Sequence, residues 1–70
     1  MANKFTIEIE QETDGRWIAD VQELPGVLAY GVTREDAVAK AEALALRVVA
    51  DQLETEDKPQ QLTSIAFSFA

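Results

Sequence analysis

The run Leu24-Pro25-Gly26-Val27-Leu28-Ala29-Tyr30-Gly31-Val32-Thr33-Arg34-Glu35-Asp36-Ala37 forces a turn, a short strand and a helix start into fourteen residues. Proline followed by glycine supplies a fixed φ and then a residue free to take positive φ, which is a turn with a mechanism. Thr33 offers a side-chain oxygen to the orphan amides of a helix whose first turn carries Glu35 and Asp36, where negative charge suits the N-terminal dipole. Gly31 stands where the chain must turn from strand toward helix. The order of these signals matters more than their composition.

The flanking segments supply the rest. Phe5, Ile7 and Ile9 alternate with Thr6, Glu8 and Glu10, the period of two that marks a strand with one buried face. Gln11 to Arg16 closes it, with Asp14-Gly15 as a hairpin signal in a connection of two residues or more. Trp17 to Val21 predicts a second strand and Val27 to Tyr30 a third. From Thr33 to about Leu53 the period changes, and Ala37, Ala41, Leu44 and Val48 join Val38, Ala45, Val49 and Leu53 in a helical stripe. About 20 residues at 1.5 Å each give a helix of ~30 Å, long enough to cross such a sheet. Glu54 to Gln61 has no periodicity and contains Pro59, so it reads as a solvated linker. Ile65, Phe67 and Phe69 then alternate with Ala66 and Ser68 as a fourth strand.

The expected fold is therefore α+β, in the order βββαβ. A right-handed crossover brings the last strand in parallel to the first, giving a four-stranded mixed sheet of order 3-2-1-4 covered on one face by a single long helix. Phe5, Ile7, Ile9, Trp17, Ala19, Val21, Ile65, Phe67 and Phe69 form its core face. The opposite face carries Thr6, Glu8, Glu10 and Asp20 near the middle, and Ile18, Leu28 and Tyr30 toward the third-strand edge. That edge and its apolar patch predict self-association, as a dimer or tetramer.

Composition narrows the function. Seventy residues make one domain, 1–70, and a chain this short buries only roughly 60% of its unfolded surface, so assembly would add to a thin core. With no cysteine and no histidine, thiolate and imidazole chemistry are excluded, and no cofactor is expected. A net charge of −7 with six scattered basic residues argues against direct binding of nucleic acid. No leader pattern or apolar run of ~20 residues is present, so no membrane association is expected and the chain reads as cytoplasmic.

Glu8, Glu10 and Asp20 are the one grouping suited to catalysis, since neighbouring carboxylates can hold magnesium. A solvated face of an antiparallel sheet alternates in the same way, and the last strand adds no acidic residue. Trp17 shares its register with Ala19 and Val21 and belongs to the core. Tyr30 reads either as a partly exposed hydrophobe with no role or as a residue suited to an interface that is dry at one end and wet at the other. Gly26 and Gly31 are turn glycines, because no lysine and Ser/Thr follow in P-loop spacing.

The alternating first strand, Asp14-Gly15-Arg16-Trp17, Leu24-Pro25-Gly26, Gly31-Val32-Thr33-Arg34-Glu35-Asp36-Ala37 and the alanine-rich helix together resemble the HicB family of bacterial antitoxins over nearly the whole chain. The resemblance implies a truncated RNase H-like fold without nuclease activity, which binds and masks a small basic HicA-type toxin that cleaves mRNA. Glu8, Glu10, Asp20 and Glu23 are then the candidate toxin contacts, and Ile18, Leu28 and Tyr30 the candidate interface between copies. Two features depart from the family. Val27 stands where many relatives have cysteine, and the chain stops at Ala70, where many append a helix-turn-helix or ribbon-helix-helix domain. No C-terminal DNA-binding domain, and hence no direct operator contact, is expected. The alternatives are a stand-alone homo-oligomeric binding module without a toxin partner and a degenerate RNase H-like metal-dependent nuclease.

Overall fold

The structure, a computed structural model, describes residues 3–55 and 62–70. Strands β1 (Lys4–Gln11), β2 (Trp17–Val21) and β3 (Leu28–Gly31) precede helix α1 (Arg34–Thr55) and strand β4 (Ala66–Phe69). They form one sheet in the order β3-β2-β1-β4, antiparallel except that β4 runs parallel to β1. This is the expected α+β architecture. Of the segment expected to be a linker, Glu54 and Thr55 continue the helix, and 56–61 lie outside the described residues. No described helix is long and apolar enough to cross a membrane.

Local chemistry fixes each corner. Gly15 N–H donates to the Glu12 carbonyl at 3.0 Å and Glu12 N–H to the Arg16 carbonyl at 2.7 Å, with Gly15 at φ 93°. The hairpin loop is thus the three residues Thr13 to Gly15, closed by a glycine in the left-handed region. At the next corner Val27 N–H donates to the Leu24 carbonyl at 3.0 Å and Gly26 has φ 84°, the form of a type II turn with proline second and glycine third. Thr33 caps the helix: its Oγ1 accepts from Asp36 N–H at 3.0 Å and its carbonyl from Ala37 N–H at 3.1 Å.

Phe5, Ile7, Ala19, Val21 and Val27 are buried against Ala37, Val38, Ala41, Ala45 and Val49 of the helix. Ile9, Trp17, Ile65 and Phe67 pack on this core while partly exposed. Gly31 does not act as a turn residue. It lies inside β3 without positive φ, and a Cβ there would run into the Ala37 amide and come within 2.8 Å of Ala37 Cα. Its role is to let the first helical turn touch the strand, a close approach that only a missing side chain permits.

The helix does not cover its sheet face evenly. It packs chiefly on β3 and β2, and little on β1. Phe69, expected in the core, is therefore 54% exposed at the end of edge strand β4. Two contacts shield that flank: Phe67 packs on Phe5 with ring centroids 5.7 Å apart, and the Arg34 guanidinium lies 4.9 Å from the centroid of the Phe69 ring.

Candidate functional site

The face of the sheet away from the helix is built by alternation from the same strands that make the core. Glu8 and Glu10 of β1 stand exposed, Asp20 of β2 is partly exposed, and Glu8 lies directly across the ladder from Asp20. None of these three carboxylates makes an ion pair or side-chain hydrogen bond among the described residues. The two ion pairs there lie elsewhere: Asp14 Oδ2 with Arg16 Nε at 2.8 Å, and Asp36 Oδ2 with Lys40 Nζ at 3.0 Å.

Glu23 stands just beyond the end of β2, and its carboxylate is engaged. Thr6 N–H donates to its Oε1 at 2.6 Å and Thr6 Oγ1–H to its Oε2 at 2.9 Å. Gln22 N–H donates to the Thr6 carbonyl at 2.9 Å, so Thr6 turns its backbone toward the side where β2 has run out. Glu23 supplies the acceptor that the ladder lacks there. The Thr6 amide, followed by its hydroxyl, holds the Glu23 carboxyl below the usual carboxylate range. Glu23 thus extends the band of negative charge along β1 as a fixed member.

The part of the face nearest β3 is apolar. Ile18 is half-buried, whereas Leu28 is 38%, Tyr30 43% and Val32 80% exposed. Ile18 pairs with Tyr30 across the ladder and Asp20 with Leu28. The Arg16 guanidinium lies 4.7 Å from the centroid of the Tyr30 ring, so one cation borders the apolar patch. Sequence reasoning missed Val32, although it continues the alternation of Leu28 and Tyr30. It also missed the anchoring of Glu23, which no spacing rule reveals. Asp36, placed by sequence in the helix cap, also reaches back to the strand end, where its Oδ2 accepts from Val32 N–H at 3.3 Å. Lys40, and then this amide, hold the Asp36 carboxyl below its ordinary value.

Among the described residues no group of three or more carboxylate, histidine or cysteine side chains is arranged to hold a metal ion. The described surface is also without a concave pocket. What it offers is an open sheet with an acidic band beside an apolar edge, suited to contact with another macromolecule rather than to enclosing a small ligand. No protein-family model, no curated protein and no solved structure matches the chain.

Proposed function

We propose that the protein is an antitoxin-like binder that captures a small basic protein on its open sheet face, and that this partner is a HicA-type mRNA-cleaving toxin. The observation that carries the reading is the band formed by Glu8, Glu10 and Asp20, three carboxylates without a cation beside them among the described residues, in a chain of net charge −7. Such a surface attracts the lysines and arginines of an RNA-cleaving enzyme and repels a phosphate backbone. The resemblance to HicB antitoxins points to the same partner class.

Acidic steering acts mainly on the rate of capture. Stopped-flow mixing with a purified HicA-type toxin should show association slowing as salt rises, because the Debye length is ~10 Å at 0.1 M. Glu8→Lys with Glu10→Lys should slow capture by about tenfold or more at low salt and flatten the salt dependence. The reading fails if the toxin does not bind, or if association ignores both salt and the two substitutions.

A further inference from the structure

We propose that β3 is the contact through which two copies of this chain form a symmetric dimer, paired antiparallel about Tyr30 so that two four-stranded sheets become one. The inference is independent of the toxin-binding reading.

Backbone geometry sets the first condition. The hydrogen bond from Val21 N–H to the Val27 carbonyl, 2.9 Å long, fixes the phase of the β2–β3 ladder. Antiparallel ladders alternate, so Val27, Ala29 and Gly31 turn their backbone groups toward β2, and Leu28 and Tyr30 turn theirs outward along the free edge. The Val32 amide follows the same phase and is met by the Asp36 carboxylate, which ends the open stretch. Leu28 and Tyr30 are thus open to a second strand, and pairing about Tyr30 adds Val32, whose amide exchanges its 3.3 Å bond to Asp36 for the second copy's Leu28 carbonyl.

Charge selects the occupant. Edge strands are normally blunted by devices such as lysine, proline or an inward charge, yet Val27-Leu28-Ala29-Tyr30-Gly31-Val32-Thr33 contains no proline and no charged residue. In a chain of net charge −7 this is the stretch where another equally acidic copy approaches without like charges facing each other.

The exposed side chains select the register. Pairing about Tyr30 sets Tyr30 opposite Tyr30, Leu28 of each copy opposite Val32 of the other, and Ala29 opposite Gly31 on the helix side. Every exposed apolar side chain of the edge then meets another, Val32 included. Pairing about Ala29 would instead set Val32 against Gly26, which lies in the turn at φ 84° and has no side chain to cover it. In the Tyr30 register each row Leu28–Val32 is also flanked by Asp20 at one end and the second copy's Arg16 at the other, since Asp20 neighbours Leu28 and Arg16 follows the Trp17–Gly31 pair.

Sedimentation equilibrium of the intact chain tests this. The wild type should be a dimer at micromolar concentration. Leu28→Lys with Val32→Lys places lysines directly opposite each other and should weaken the dimer by about 100-fold or more. Leu28→Lys with Val32→Glu faces each lysine with a glutamate and should recover most of that loss. Both positions are exposed, so circular dichroism should show all variants folded. Ser68→Lys, on the opposite edge strand, should leave the dimer intact. A monomeric wild type, a dimer indifferent to the paired lysines, one broken by Ser68→Lys, or a lysine–glutamate variant no better than the double lysine would each overturn the proposal.

Discussion

Ile7 and Glu8 are neighbours in one strand, yet Ile7 is 0% exposed beneath the helix and Glu8 stands in solvent. The helix-side face is governed by packing: Ala37, Ala41 and Ala45 are small enough to bring the helix down onto Ala19 and Gly31, and Phe5, Ile7 and Val21 fill the space beneath. The open face obeys no such constraint. Its residues need only be compatible with a strand, so their chemistry is free to serve a partner, and it divides into an acidic band on β1 and β2 and an apolar margin on β3. In a chain of 70 residues, stability therefore resides on one side of the sheet, and the proposed recognition on the other.

The sharpest way to break that comparison is to truncate neighbours on opposite faces. Ile7→Ala should cost about 2–5 kcal/mol, the loss expected for a fully buried isoleucine. Glu8→Ala should change stability by no more than about 0.5 kcal/mol, as surface substitutions do. Urea unfolding of the two variants measures both values. Similar losses at the two positions would mean that the open face is structural as well.

Gly31→Ala comes next and concerns the seam where strand and helix touch. The added Cβ meets the Ala37 backbone, which cannot rotate away as a side chain would. The expected loss is at the upper end of the about 1–3 kcal/mol typical of overpacking, read as a lower urea midpoint with an unchanged slope. A neutral result would show that α1 can lift from β3 without penalty.

The elements most legible in the sequence were those determined by residues close together in the chain. Alternation in Phe5 to Ile9, the proline–glycine pair before Val27 and the cap at Thr33 each carry their own local cause, and with crossover handedness they yield the strand order. Phe69 was misplaced because alternation tells which face a residue takes but not how far a single helix extends over it. Gly31 was misread because its demand is for space, set by a helix that follows it, and not for a φ. The membership of the open face was legible, since Glu8, Glu10, Asp20, Ile18, Leu28 and Tyr30 follow from parity. Glu23 was legible only as a charge, because its partner Thr6 lies seventeen residues away across a corner.

That anchoring gives the smallest effect and the finest test of the divided sheet, because Glu23 is the one acidic candidate with a structural role. Its carboxyl is held below the usual range by the Thr6 amide first and the Thr6 hydroxyl after it, so the folded state favours the ionised form. A depressed folded-state value contributes stability that is present above the ordinary carboxylate range and is lost as pH falls through it. Glu23→Gln keeps one acceptor oxygen and removes the charge, so it should be slightly less stable than the wild type at neutral pH. The gap should narrow as the solution is acidified below the carboxylate range, where the wild-type side chain is also neutral. Thermal unfolding of the two proteins across that pH interval decides it. A gap for Glu23→Gln that stays constant with pH would assign the effect to shape rather than charge, and would return Glu23 to the solvent-facing band as a residue free to meet a partner.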